Sequence, residues 1–303
     1  MLRDHPGELA ALATATCWAV SSLAFTRAGR RIGALALNLV RLGFALLFSV
    51  VLGLLARGLP LPTDATADQW AWLSVSGLVG FVFGDLCLFR AFVLLGPRLA
   101  LLLMATAPPM TALLGWIALD ESLTPLAALG MALTLTGIAW VLAARPAVVG
   151  PMGQVLKDRS FRAGVWLGLG GALGQAGGLV LSKRGMAGYD PFAATQVRIL
   201  AGLAGFAAIY TVIGFWPTFV TALRDRGALL LAGGGAFLGP FLGVSLSLVA
   251  VANTGTGIAA SIMATTPLLV IPLSAWLDHE QIRWQDLAGA ILAIAGVALL
   301  FLH

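Results

Sequence analysis

Three ionisable residues stand well inside long apolar stretches: Asp85 in Phe83-Gly84-Asp85-Leu86, Arg41 in Asn38-Leu39-Val40-Arg41, and Arg198 in Thr195-Gln196-Val197-Arg198. A charge at membrane depth is costly and calls for a named partner or a function. Asp85 can pair with Arg41 or Arg90, hold a substrate ammonium group, or pass a proton during a cycle; a plain structural ion pair is the alternative. Each of the two arginines can grip a carboxylate with its two-pronged fork, or can instead snorkel or tie helix ends together.

A second group is apolar. Met104-Ala105-Thr106-Ala107-Pro108 returns 159 residues later as Met263-Ala264-Thr265-Thr266-Pro267. A proline within a helix leaves the carbonyl four residues back without its partner, here that of Met104 for Pro108 and of Met263 for Pro267. At membrane depth such a carbonyl is tolerated only where protein or a water-filled cavity satisfies it, and methionine offers adaptable apolar contact to a ligand. A kinked helix with core methionines reads the same way. Trp18 and its counterpart Gln175 complete the candidate binding set, Trp18 as a stacking surface or as a packing residue.

These residues need elements to carry them, and the repeat shows what those are. The same 159-residue shift places Gly80 on Gly239, Gly84 on Gly243, Glu121 on Glu280, Gly130 on Gly289 and Gly137 on Gly296. A crossing helix needs about 20 apolar residues, and the chain offers ten candidate spans: 9–27, 34–56, 70–93, 97–118, 125–143, 162–182, 192–215, 227–250, 256–276 and 285–302. The expected fold is therefore an all-α integral membrane protein, with one five-helix repeat over 1–148, a linker at 149–160 and a second repeat over 161–303. Five is odd, so two like halves joined by a short linker enter the bilayer in opposite orientations, with a site between them near mid-depth.

Composition agrees. Hydrophobic residues make up 59% of the 303 and charged residues 10%, against about 25% charged in a soluble domain, so the lipid bilayer must cover this chain. No basic cluster accompanies the net charge of +5, which argues against nucleic acid. Cys17 and Cys87 lie in apolar runs and suggest neither a disulfide framework nor a metal site. The first span is read as retained, because no small-x-small cleavage site leads into a polar region. Gly170, Gly174 and Gly178, like Gly235, Gly239 and Gly243, are read as close-packing helix faces and not as a nucleotide loop. Glu121 and Glu280 precede spans five and ten, where carboxylates favour helix N-termini. Trp70, Trp72, Trp216 and Trp284 lie near span ends as interfacial anchors.

Several segments, taken in order, resemble the EamA-type ten-helix branch of the drug/metabolite transporter superfamily. Cys17-Trp18-Ala19-Val20-Ser21-Ser22 is similar to its Trp-Gly-Ser-like segment, with Ala19 at the usual glycine. Asn38-Leu39-Val40-Arg41 and Thr195-Gln196-Val197-Arg198 resemble its helix-two arginine element, and Arg90-Ala91-Phe92, Pro108, Pro267, Glu121 and Glu280 complete the pattern. The resemblance covers nearly the whole chain. It implies a secondary transporter of small metabolites, many of them exported amino acids including aromatic ones, in a bacterial inner membrane, without a cofactor and with both termini cytoplasmic. The basic residues point the other way: with the N-terminus inside, interior loops hold four and exterior loops eleven, which by the positive-inside rule favours termini outside. The first helix has no acid between residues 9 and 26, so coupling through the embedded glutamate of the related small multidrug-resistance dimers is not available.

An intramembrane enzyme is poorly served. No second aspartate accompanies Asp85 well inside a span, Asp286 standing at the very start of the tenth, and the three histidines, His5, His279 and His303, lie in loops or termini. A channel or scramblase fits composition alone, as does a multidrug carrier of the same superfamily. The reading that combines symmetry, span count and resemblance is a carrier exporting small organic metabolites by alternating access, with apolar or aromatic amino acids first. Two complete halves can enclose a pocket within one chain, which allows a monomer and leaves an oligomer open.

Overall fold

Helix starts in this chain are written in its loops. Thr66 accepts from the Gln69 N–H and receives the Gln69 side chain on its own N–H, a reciprocal cap. Asp190 accepts from the Ala193 N–H at 2.8 Å with Pro191 at the first helical position, and Asp225, the repeat-mate of Thr66, accepts from the Ala228 N–H at 3.0 Å. Such side chains satisfy N–H groups that a helix leaves open at its first turn.

The computed structural model describes residues 6–119, 124–143, 158–186, 188–253, 259, 262–278 and 284–301. The helices are α1 (Pro6–Ile32), α2 (Ala34–Arg57), α3 (Ala67–Gly77), α4 (Asp85–Leu95), α5 (Pro97–Met104), α6 (Ala107–Leu119), α7 (Pro125–Ala143), α8 (Asp158–Gly185), α9 (Pro191–Ile213), α10 (Trp216–Ala222), α11 (Arg226–Ala236), α12 (Val244–Asn253), α13 (Thr266–Asp278) and α14 (Trp284–Phe301). No strand occurs among the described residues. Among the described residues, seven helical stretches are long and apolar enough to cross a membrane, Ala67–Leu95 and Arg226–Ala250 among them, and three shorter apolar ones fall where spans five, nine and ten are expected. The linker (apart from residues 158–160), Glu121, Glu280 and the three histidines lie outside the described residues.

Two π-helical segments interrupt this scheme. Leu78–Gly84 joins α3 to α4, and Phe237–Gly243 joins α11 to α12. They are 159 residues apart, at the same place in each repeat. Stretches of π-helix are rare and tend to mark functional positions, so a matched pair is a device built into the repeated unit.

The fourth span holds a correction. In place of a helix kinked at mid-span prolines, α5 ends at Met104 and α6 begins at Ala107. Pro108 is then the second residue of a new helix, where its missing N–H costs nothing. Pro267 stands likewise second in α13. The carbonyls that the break releases are taken by threonines: Thr106 Oγ1 donates to Leu103 and Thr265 Oγ1 to Ile262, matched positions, both at 2.7 Å. The Met263 carbonyl, which protein or a water-filled cavity had to satisfy, accepts from Thr266 Oγ1 at 2.6 Å.

How the repeats face each other is decided where α7 meets α14. A Cβ added to Gly137 would stand 2.7 Å from the carbonyl oxygen of Gly289, the repeat-mate of Gly130; one added to Gly296, the repeat-mate of Gly137, would stand 2.6 Å from the carbonyl oxygen of Gly130. Between these contacts Thr134 Oγ1 donates to the carbonyl of Ala293, its own repeat-mate, at 3.2 Å. Contacts in which i meets the mate of j and j meets the mate of i are those of a two-fold axis. Here one number rises as the other falls, so the helices run antiparallel and the axis is perpendicular to both, in the membrane plane. The protein is an all-α membrane protein of two inverted five-helix repeats.

The same logic recurs elsewhere. Helix α8 runs antiparallel to α3 and its π segment: Ser76 Oγ lies 2.7 Å from Ser182 Oγ, a Cβ on Gly178 would meet Gly80 at 3.0 Å, and one on Gly84 would meet Gly174 at 3.2 Å. In mirror fashion α1 lies along α11 and its π segment, with Phe25 in the space beside Gly235 and Gly239, and Trp18 beside Gly243. The glycine runs are packing faces between repeats, as their spacing predicts.

Paired cysteines test the register. In a variant lacking Cys17 and Cys87, Thr134→Cys with Ala293→Cys, and Gly130→Cys with Gly296→Cys, should form disulfides under mild oxidation. Gly130→Cys with Gly289→Cys should not, because an offset of seven residues separates the helix positions by about 10 Å, beyond disulfide reach. Gel mobility with and without reductant reads the outcome.

Candidate functional site

The charged residues converge. Arg41 is fully buried, and its Nε and Nη2 donate to Asn38 Oδ1, one helical turn back, at 3.1 and 3.0 Å. Its Nη2 also donates to Asp85 Oδ2, so of the two partners expected for Asp85 the structure selects Arg41; Arg90 is solvent- or lipid-exposed. Asp85 itself is 3% exposed and opens α4 directly after the first π segment. Rings box in the pair: the Arg41 guanidinium carbon lies 4.5 Å from the Phe89 ring centroid, 5.9 Å from Phe81 and 6.0 Å from Phe25, while Phe25 and Phe89 meet edge to face at 5.1 Å.

Arg198 approaches the same place from the other repeat. Its guanidinium carbon is 4.9 Å from the Phe81 centroid, and its Nη2 lies 3.1 Å from where a Cβ on Gly80 would be. It is 3% exposed. The inverted arrangement suggests that Arg41 and Arg198 lie near opposite membrane faces; instead both reach one ring. Each is the eighth residue of its helix, about 11 Å in from its end. From opposite faces of a core about 30 Å thick, two arginine side chains can span the remaining gap.

Of the remaining candidates, Trp18 packs in the apolar cluster that contains Phe81, Leu42 and Phe241, with Nε1 3.3 Å from a Cβ placed on Gly243. Gln175 occupies the matching place beside the first π segment, its backbone N 3.3 Å from a Cβ on Gly84. Met104 packs with Phe25, Phe89 and Leu101. Met263 belongs to a separate cluster with Ala10, Ala11 and Ala250, so the two methionines do not meet. Pro108 and Pro267, as described, open helices, Pro267 being buried.

Sequence reasoning missed Phe81, the ring shared by both arginines, and the acceptor role of Asn38. The i, i+3 spacing of Asn38 and Arg41 is a legible signal for the latter; nothing in the sequence distinguishes Phe81 from the other apolar residues of its span.

Two polar clasps join the repeats outside the membrane-spanning segments. Tyr189 Oη donates to Asp64 Oδ1 at 2.8 Å, and Arg57 also reaches Asp64. Burial raises the Asp64 carboxyl pKa, but the Tyr189 and Arg57 contacts outweigh it and hold the group below the usual range. Burial and then the Asp64 carboxylate push the Tyr189 hydroxyl up to about 12, so it stays a donor. Opposite these, Arg31 donates to Asp225 through Nε at 2.8 Å and Nη2 at 2.6 Å. The Ala228 N–H, then Arg31, hold Asp225 below the ordinary carboxylate range.

A family model matches this pattern of two halves. The EamA-like transporter family model fits residues 5–143 and again 162–302, nearly the whole chain, once per repeat. The chain belongs to the EamA-like transporter family. That places it in the drug/metabolite transporter superfamily, as a multi-pass membrane transporter and not an enzyme. A solved crystal structure, 19% identical, superposes on this EamA-like chain with a TM-score of 0.67 over 97% of it and 95% of the other chain, which shows the shared fold alone. The comparison with curated proteins gave no match.

The pair at the centre has a testable energetic signature. Removing one member of a buried ion pair leaves an uncompensated charge and costs about 3–5 kcal/mol, whereas replacing both with apolar residues is often neutral. Asp85→Asn, which leaves two buried arginines without an acid, should therefore lower the melting temperature of the detergent-purified protein sharply, and Arg41→Met with Asp85→Leu should recover most of the loss.

Proposed function

We propose that this transporter exports small organic metabolites by alternating access, with apolar and aromatic amino acids the first candidates. The self-matching antiparallel contact of α7 and α14 carries the reading, because it makes the halves inverted copies about an axis in the membrane plane. Inverted repeats can exchange conformations, so that a shape open on one side becomes its mirror on the other. The matched π segments and the matched breaks at Met104–Ala107 and Met263–Thr266 give each half a place to flex near mid-span. Between them lie Trp18, Gln175, Arg41 and Arg198, with Met104, Met263, Pro108 and Pro267 on the adjoining broken spans, and these are the residues we assign to substrate contact, while Asp85 balances Arg41. Trp18 and Phe81 give this region aromatic surface, which favours an apolar or aromatic side chain in the substrate.

The membrane is read as the bacterial inner membrane, with both termini cytoplasmic and a single chain as the working unit. A multidrug or other metabolite carrier of the same superfamily shares the architecture and differs only in cargo.

Counterflow decides between a carrier and a pore. Purified protein reconstituted in liposomes preloaded with unlabelled amino acid should show saturable uptake of labelled substrate, stimulated by the internal pool, for at least one apolar or aromatic amino acid. Non-saturating conductance without exchange stimulation would mean a channel.

A further inference from the structure

The centre of the molecule holds more positive than negative charge. Arg41 and Arg198 are both buried and both lie within 6 Å of the Phe81 centroid, yet Asp85 is the one acid beside them among the described residues, and it is bonded to Arg41. Arginine does not shed its proton in proteins, so this surplus cannot be relieved by titration of the base. Two guanidinium nitrogens here, Arg41 Nη1 and Arg198 Nε, are buried without a hydrogen-bond partner. Nearly all buried polar groups in proteins are partnered, and an exception asks for an explanation.

The repeats differ in how they hold their arginines. In the first, Asn38 stands three residues before Arg41 and accepts from it. The residue at that place before Arg198 is Thr195, whose hydroxyl donates to the Pro191 carbonyl. Where Asp85 follows the first π segment, Val244 follows the second. Arg198 therefore lacks both counterparts of the groups that hold Arg41, and makes no hydrogen bond or ion pair among the described residues. It is nonetheless held in place: its guanidinium lies over the Phe81 ring and in the space left by the absent side chain of Gly80. A charge fixed by apolar and π contacts, with its donors unspent, is preorganised to receive an anion.

We propose that Arg198, together with the free Nη1 edge of Arg41, forms the subsite that takes the carboxylate group of the transported molecule. This rests on the carrier reading above and narrows its cargo to compounds bearing one carboxylate. One bound carboxylate offsets the surplus charge beside Arg198, with any ammonium group of the cargo lying away from the two guanidiniums, so the loaded subsite costs less to keep away from water than the empty one. Asp85, engaged by Arg41, is left to balance that arginine and not to hold the cargo.

Binding, measured apart from transport, tests the assignment. Detergent-purified wild type, Arg198→Lys and Arg198→Gln are titrated with phenylalanine and leucine, with their carboxamides, and with the corresponding acids that lack the amino group. The acid-bearing compounds should bind at least about tenfold more tightly than the carboxamides, the scale of one charge-assisted hydrogen bond. If the desamino acids bind as well as the amino acids, the carboxylate alone is read; if only the amino acids bind, the ammonium is recognised too, and both results support the subsite. Arg198→Gln should remove the preference for the acid over the carboxamide while Arg198→Lys keeps part of it. Empty Arg198→Gln should melt no lower than wild type, since an unspent buried cation has gone; a merely structural arginine predicts a lower melting temperature. Equal binding of acid and carboxamide, an unchanged preference in Arg198→Gln, a less stable Arg198→Gln, or no binding by any carboxylate each overturns the proposal. Tight carboxylate binding without counterflow would instead sink the carrier reading and leave the subsite standing.

Discussion

Close approach of backbone to backbone across the two repeats is the constraint on which this molecule is built. Between helices in lipid, the hydrophobic effect that drives association in water contributes little, so contact must come from shape and from hydrogen bonds. Glycines supply the shape at three interfaces: Gly137 and Gly130 against Gly289 and Gly296, Gly80 and Gly84 against Gly174 and Gly178, and Gly235, Gly239 and Gly243 against α1. Buried hydroxyls add bonds at the same places, Thr134 to Ala293 and Ser76 to Ser182. Every one of these contacts joins one repeat to the other, so the halves interlock, while α1, α2, α4 and α5 of the first repeat also pack a buried cluster among themselves. The assembly is a single intertwined body, not two bundles set side by side.

That intertwining explains the position of the charges. Arg41 and Arg198 sit at matched places in helices that enter from opposite sides, and the two-fold relation brings them to a shared ring near the middle. In a strictly symmetric molecule each would have its own acid. Asp85 stands in one repeat where Val244 stands in the other, so the charges around the two arginines are asymmetric. The π segments match between the repeats, as do the helix breaks with their threonine-to-carbonyl bonds. The features present in duplicate are backbone features; the feature that differs is charge.

Much of this is legible in the sequence. The 159-residue shift exposes the repeat, the apolar runs give the ten spans, and the odd number of spans per half requires inversion. Helix ends are harder: α1 extends beyond its apolar run to Ile32 and α8 begins at Asp158, because charged residues at the ends of a crossing helix can remain helical in the headgroup region. The prolines mark the right places but not the right consequence. Pro108 and Pro267 read as kinks because apolar residues continue on both sides, and composition does not reveal that Thr106, Thr265 and Thr266 can cap a broken helix. Arg41 and Arg198 read as lying at opposite faces when depth is counted at Cα, which neglects side-chain reach. The π segments leave only the paired glycines as a trace, which fit close packing equally well. Glu121 and Glu280 lie outside the described residues, so the structure says nothing of their role.

Inversion is the claim that everything else needs, and the sidedness of two loops tests it most directly. Leu61 lies between α2 and α3, and Thr221 is its near counterpart between α9 and α11. Single cysteines at these positions, in a background without Cys17 and Cys87, are exposed to a membrane-impermeant maleimide in intact cells and again after permeabilisation. The account requires one of the two to label in intact cells and the other only after permeabilisation. Labelling of both from the same side would contradict it.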